Sequence, residues 1–290
     1  MTFGSTTQAG LAQQQHGATT TSARRRSLQD FAGTALKAAA AFWLAVTAIG
    51  QLIFVVYIVA LYGRSTVQGN FAAWNKVMPH GYVPGDSIGN AALAGHMLLA
   101  AIIMLGGLLQ LVPQLRTRAP AFHRWNGRVY LLSAVAASLT GLYMVWFRGA
   151  AGDLMQHLGI SFNALLVVVC GAMALRHALA RKFALHRRWA LRLFLVVSGV
   201  WFFRVGLMFW IVVNGGPAGF DPETFRGPFL SFLSFAQTLL PLAVLELYLR
   251  AQDRAGAGGK IAMAAGLLAL TLAMGVGIGV ATMGLWLPHI

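Results

Sequence analysis

Four histidines in the middle of the chain form two pairs with similar surroundings. In each copy one histidine lies early in an apolar stretch, and a His-Arg pair opens the next apolar stretch after a basic loop. His96 and His123 are 27 residues apart in the first copy, and His157 and His186 are 29 apart in the second. Each separation fits one membrane crossing of about 20 residues plus a short loop. We therefore expect His96 and His157 at one membrane level and His123 and His186 at the other.

Histidine inside an apolar membrane span usually faces the interior of a bundle and serves a ligand or a pathway. His96 and His157 are expected about 10 Å below the external surface, where two imidazoles at equal depth can ligate one metal centre. A structural histidine that is hydrogen-bonded between helices is the alternative for this pair. For His123 and His186, which open helices, the alternative is headgroup binding and anchoring.

Arg204 is a cation inside an apolar stretch, and the four central spans offer it no acidic residue. It follows His186 by 18 residues, which is five helical turns, so we expect it on the same helix face about 27 Å higher, near the level of His96. Gly141 is expected to leave space for it. A buried arginine requires an anion, and a haem propionate or an anionic substrate would supply one.

The composition indicates an integral membrane protein. Of 290 residues, 58% are hydrophobic and only 10% are charged, against about 25% charged in soluble domains, and the mean hydropathy is +0.67. The formal net charge of +15 comes from short loops between apolar stretches, so we expect no nucleic-acid partner. The single cysteine, Cys170, excludes both a disulfide within the chain and a Cys-x-x-Cys-His haem attachment.

Long uncharged stretches predict an all-α, polytopic bundle of seven transmembrane helices over residues 37–290, after a disordered cytoplasmic tail at 1–36. The predicted spans are Ala38–Tyr62, Ile88–Leu115, Val129–Phe147, Leu154–Leu175, Leu193–Val213, Gly227–Leu245 and Ile261–Ile290. Spans two to five carry the histidines and form the expected four-helix core. The recurring pattern also predicts an internal repeat of residues 89–147 and 152–213.

The distribution of Lys and Arg predicts the orientation in the cell's inner, cytoplasmic membrane. Basic segments alternate with segments that are poorer in cations or offset them with acids. The basic ones are the tail and the loops 114–128, 176–192 and 250–260; the others are 63–87, 148–153 and 214–226. We therefore expect a cytoplasmic N-terminus and an external C-terminus. Loop 63–87 is long for a membrane connection, and two interpretations remain for it: an external lid, or an interfacial loop with an aromatic anchor.

The histidine order resembles that of the cytochrome b561 family of two-haem transmembrane electron carriers. That resemblance implies one b haem held by His96 with His157 and a second held by His123 with His186. The motifs His123-Arg124-x-x-Gly127-Arg128-x-Tyr130 and His186-Arg187-x-Trp189 also resemble a bacterial integral-membrane family catalogued as domain of unknown function 2306, which implies no activity. The chain departs from the cytochrome pattern in its seventh span and in the position of His123 and His186 at helix starts.

Three functions follow as hypotheses. The leading one is a transmembrane b-type haem protein, with one or two haems, that carries electrons from quinol or a cytoplasmic donor to an external acceptor, as a membrane oxidoreductase of cytochrome b561-like type. The alternative is a non-redox seven-helix transporter or sensor that binds an anionic ligand at Arg204 and the histidines. The third is a structural membrane scaffold, because no motif specifies a reaction.

Overall fold

The structure is a computed structural model that describes residues 5–77, 80–149 and 152–290, with side chains from residue 27 onward. Within these ranges it is all helical, and the only β-type pairing is an isolated bridge between Asp221 and Arg226. The predicted all-α class is confirmed. The α-helices are α1 (Ser5–Ile58), α2 (Arg64–Val67), α3 (Ser87–Leu111), α4 (Pro113–Arg118), α5 (Pro120–Trp146), α6 (Leu154–Leu179), α7 (Phe183–Val197), α8 (Gly199–Asn214), α9 (Pro228–Arg254) and α10 (Ala257–Ala281).

Short polar and special residues set the helix ends between the apolar stretches. The carboxylates of Asp86 and Asp153 accept hydrogen bonds from the first turns of α3 and α6, which satisfies backbone N–H groups that have no partner within the helix. Pro120 occupies the first turn of α5, where its missing N–H costs nothing. Gly215 ends α8 in the left-handed conformation, at φ 67°.

The helices have the length and apolar surface of membrane spans. Six are long and apolar enough to cross a bilayer, and the pair α7 and α8, bent by 54°, makes a seventh if it is one broken span. Large apolar side chains face outward along them, as at Leu98 (63% exposed) and Leu132 (71% exposed); a lipid environment makes such exposure favourable. The protein is an integral, multi-pass membrane protein. The six continuous spans are Ser27–Val67, Ser87–Leu111, Pro120–Trp146, Leu154–Leu179, Pro228–Arg254 and Ala257–His289.

The N-terminal region differs from the disordered tail predicted for residues 1–36. Helix α1 begins at Ser5, and Ala32 and Leu36 are already buried, at 0% and 2% exposure. The stretch contains no proline and is rich in Ala and Gln, which are good helix formers. The first four residues of the predicted tail lie outside the described part of the chain. The domain boundary expected at residue 36 stays a prediction.

The chain forms two compact units, and the single transmembrane domain expected over residues 37–290 stays a prediction. One unit comprises Met1–Ala45 and Glu246–Thr271, and its core contains Leu36, Ala251 and Ala264. The other comprises Val46–Leu245 and Leu272–Ile290. In this second unit α3 packs on α5, α5 on α6 and α6 on α7. These are the four helices that carry the four histidines of the predicted site.

Candidate functional site

A cavity of about 300 Å³ lies inside the second unit and is lined by residues of α1, α3, α5, α6, α7 and α8. Its size is at the lower end of pockets that hold small molecules, which are about 300–1,000 Å³. Most of the lining is apolar. The polar groups come from His80, His96, Ser138, Arg148, Asn163 and Arg204. Two of the predicted site residues, His96 and Arg204, therefore share this cavity.

His96 is held on α3 by a contact with α5. Its Nδ1 lies 3.0 Å from Oγ1 of Thr140, and that hydroxyl donates to the carbonyls of Ala136 and Ala137. Because the hydroxyl has only one proton, it accepts the bond from Nδ1–H of the imidazole. Nε2 is then the ring nitrogen left for the cavity. A Cβ on Gly141 would lie 3.4 Å from Cε1 of His96, an ordinary contact distance, and Gly141 lines the cavity together with Arg204.

Arg204 lies on α8 among aromatic side chains. Its guanidinium carbon is 5.3 Å from the ring centre of Phe54, within reach of a cation–π interaction, and Nη1 donates to the carbonyl of Val200 at 3.2 Å. Among the described residues no carboxylate lies within ion-pair distance of it, as the sequence predicted. The charge that Arg204 brings to the cavity wall has no counter-charge from the described protein.

The span that carries Arg204 is broken at Ser198, between α7 and α8. Nδ2 of Asn163 donates to the carbonyl of Val196 at 2.8 Å and contacts Oγ1 of Thr238 at 2.7 Å. Nε2 of Gln51 donates to Oγ of Ser198 at 3.0 Å. The bond from Asn163 satisfies a backbone carbonyl at the break, where the helical ladder is interrupted. The prediction that His186 and Arg204 share one continuous helix face was therefore wrong, because the axis turns between them.

Arg148, a cavity-lining residue that the sequence did not single out, is paired with a carboxylate and bonded through Nε and Nη2. Its Nε lies 3.0 Å from Oδ2 of Asp86, and Nη2 donates to Oδ1 of Asn90 at 2.6 Å and to the carbonyl of Gly81 at 3.3 Å. The pKa of Asp86 is held below its ordinary value, first by the N–H of Gly89 and then by Arg148. In the sequence, only the Asp86-Ser87 pair at the start of α3 indicated a polar contact at this end of the helix.

The segment before α3 closes on the cavity through these bonds. His80 lines the cavity in a left-handed backbone conformation, at φ 57°. Trp74 is only 2% exposed and packs against Tyr62 and Tyr82. Both interpretations of loop 63–87, an external lid and an interfacial loop with an aromatic anchor, stay open, since the packing of Trp74 is compatible with each.

His157 does not line the cavity. Its ring contacts Trp146 edge-on, with centroids 5.7 Å apart, at the contact between α5 and α6. Its Nε2 is buried without a hydrogen-bond partner among the described residues. The face of α6 that lines the cavity carries Ile160, Asn163 and Val167 instead. The structure thus does not bring His96 and His157 to a shared site.

His123 and His186 lie in the first turns of α5 and α7, close enough for their charges to interact. Nδ1 of His186 lies 2.9 Å from the carbonyl of Ala174, whereas Nδ1 of His123 is buried without a partner in the described region. Each helix start also carries a Trp-x-x-Arg pair in cation–π contact, Trp125 with Arg128 and Trp189 with Arg192, both at 4.9 Å. No group of three or more metal-ligating side chains occurs in the described ranges.

Comparison with known proteins gives a family match that carries no activity. No curated protein and no solved structure matches the chain. A family model does match, over residues 93–222, and this range includes all four histidines and Arg204. The resemblance that the His-Arg motifs indicated is confirmed: across residues 93–222 the chain matches the family described as "Predicted membrane protein (DUF2306)".

Proposed function

We propose that the protein is a membrane transporter or sensor that binds a small anion in the cavity beside Arg204. The observation that carries this proposal is the arginine itself, a guanidinium on the wall of a cavity inside the spans with no carboxylate partner among the described residues. A charge at the centre of a bilayer costs about 2.5–3.5 kcal/mol even on the most lenient scale. A bound anion offsets that cost.

The break at Ser198 supports the same site. Helix α8 begins at Gly199, and Val200, Trp201 and Arg204 of its first turns all line the cavity. A helix N-terminus carries roughly half a positive charge. Broken membrane helices whose N-terminal ends face a mid-membrane cavity are a recurrent way to bind anionic groups. The helix end and the guanidinium therefore favour the same ligand charge.

Ligand-induced stabilisation of the purified full chain tests this proposal. Small carboxylates and phosphate should raise the apparent Tm in proportion to the logarithm of their concentration, because they bind the folded state only. Arg204→Met should remove that dependence and Arg204→Lys should retain part of it. Arg250→Met, at an exposed arginine of α9, serves as the matched control. An anion response that survives in Arg204→Met would contradict the proposal.

A haem-dependent electron carrier is the second candidate. Metal-ligating histidines usually donate their second ring N–H to an oxygen acceptor, which fixes the orientation of the ring. Nδ1 of His186 is bonded in this way to a backbone carbonyl, and Nδ1 of His96 to a hydroxyl. His123 and His186 are the residues that would hold a haem, with quinol or a small redox protein as partner. His96 and His157 do not fit a shared haem, since only His96 lines the cavity.

A visible spectrum separates the two candidates. An electron carrier shows a Soret band and sharpened bands after dithionite reduction, and His123→Ala or His186→Ala abolishes them. A protein without a Soret band, even after growth with added haem, is not an electron carrier of this kind. Neither result depends on the anion measurement.

The basic loops support a finer localisation, in the cytoplasmic membrane with the N-terminus inside and the C-terminus outside. In that orientation the segment from Gly81 to Asp86, which bonds to the cavity-lining Arg148, lies on the external side of the membrane.

A further inference from the structure

We propose that the anion is a compact organic monocarboxylate with an apolar body, and not an inorganic anion or a dicarboxylate. This inference rests on the proposed anion-binding function and names the substrate class of that site. It follows from the number of uncompensated charges at the cavity and from the chemistry of the remaining walls.

The cavity has two arginines, but only one has charge to spare. Arg148 is paired with Asp86 at 3.0 Å and gives two further hydrogen bonds to Asn90 and Gly81. Arg204 donates only to the carbonyl of its own helix and stacks on Phe54. One uncompensated cation matches one negative charge, and a second carboxylate would compete with Asp86 for Arg148. The guanidinium geometry favours a carboxylate, which it can bind through two parallel hydrogen bonds.

The other walls suit hydrocarbon. Three methionines, Met97, Met104 and Met144, line the cavity together with Phe54 and Trp201. Methionine side chains are flexible and polarizable, so they adapt to apolar ligands of different outline. A chloride or phosphate ion would leave these walls without a partner, whereas an aromatic or short aliphatic body would cover them and gain about 25 cal/mol per Å² of apolar surface removed from water.

The neutral polar groups are too few to bind a second charge. Nδ1 of His96 is already bonded to Thr140, and Nδ2 of Asn163 is bonded to Val196 and Thr238. His80 lines the cavity and directly precedes Gly81, whose carbonyl accepts a hydrogen bond from Arg148. These groups can orient a ligand or a water molecule. Arg204 and the N-terminus of α8 alone supply the positive field.

Four probes test the class: benzoate, its neutral isostere benzamide, the dianion phthalate and the small anion acetate. Affinities are measured by calorimetry on the full chain in detergent, with protein-free micelles as the blank for partitioning. We expect benzoate to bind about tenfold tighter than each of the other three, and Arg204→Met to remove the benzoate preference over benzamide.

A second variant, Asp86→Asn, should strengthen the binding of a dianion. Asparagine keeps the helix cap but removes the charge that neutralises Arg148, so phthalate should gain about tenfold in affinity while benzoate changes little. If acetate or phosphate binds wild type as tightly as benzoate and needs Arg204, the monocarboxylate class is overturned while anion binding stands. If none of the probes, nor phosphate, shows Arg204-dependent binding, both proposals fall.

Discussion

Arg204 lines the same cavity as His96 and has no carboxylate within ion-pair distance in the described part of the chain. The absence of acids from the central spans made this environment predictable from the sequence. His157 could not be placed in the same way. At about 100° per residue, a small error in helix rotation moves a side chain from a cavity to a neighbouring contact. The ring of His157 contacts Trp146 edge-on instead.

Arg204→Met should stabilise the protein in the absence of anions. The substitution removes an uncompensated charge from the spans and keeps a flexible side chain of similar length, so we expect the apparent Tm to rise on the order of 5 °C. Binding residues often carry such a stability cost. Thermal scans in an anion-poor buffer, at one fixed scan rate, check this, with Arg250→Met as control. A lower Tm would show that Arg204 has a counter-charge that the structure does not reveal.

The bond between Asp86 and Arg148 should make the stability of the protein, through the attachment of loop 63–87, sensitive to acid. Because the folded-state pKa of Asp86 lies below its ordinary 3.8, its contribution to stability is present above the unfolded pKa and is lost as the pH falls through the lower folded value. Wild type should therefore exceed Asp86→Asn in apparent Tm at about pH 6, and the two should converge towards about pH 3. A gap that stays constant over this range would assign the difference to something other than this carboxylate.

At the scale of the helix, apolar stretches located the spans well but concealed the break in the fifth. Ser198 and Gly199 are flanked by valine, so the hydropathy stays high across the position where the axis turns by 54°. The sequence feature that indicates a bend here is the Ser198-Gly199 pair, since sharp helix kinks are frequent at such pairs. What satisfies the opened backbone is Asn163 on another helix. No pattern local to the span could have identified that partner.

Gly199→Ala should damage this break, whereas Gly95→Ala should not. A Cβ at Gly199 would lie 2.7 Å from Nδ2 of Asn163, which forces that amide away from the carbonyl of Val196. Loss of a buried hydrogen bond costs about 1–3 kcal/mol, so the apparent Tm should fall by several degrees. A Cβ at Gly95 meets nothing within 4 Å, and alanine is the better helix former. Equal Tm values for the two variants would contradict the described role of Asn163.

At the scale of the whole molecule, composition predicted the class and count of spans because hydrophobic length is a direct physical requirement of the bilayer. The division into two units could not be predicted, since it depends on which helices pack, and helix surfaces facing lipid are as apolar as those facing protein. Residues 246–271 belong with the first unit, and the single domain expected over residues 37–290 stays a prediction. The internal repeat of residues 89–147 and 152–213 stays a prediction.

Reporter fusions test the orientation inferred from the loop charges. A reporter after Ile290 should score as external and one inserted in the basic loop between α6 and α7, near Arg181, as cytoplasmic. Both positions lie outside the cavity, so neither fusion should disturb ligand binding. An internal score at Ile290 combined with a cytoplasmic score at Arg181 would mean that the last span does not cross the membrane.

The bend between α7 and α8 makes one span adjustable in length. The two helices contain 15 and 16 residues. Together with Ser198 between them they would be about 48 Å long if straight, whereas the hydrocarbon core of a bilayer is about 30 Å thick. A thicker bilayer favours the straighter pair and a thinner one favours the sharper bend, because each lowers the hydrophobic mismatch. Val197 and Val200 line the cavity on either side of the break, so its shape follows the angle. We therefore expect ligand affinity to change with acyl-chain length in vesicles of otherwise identical composition.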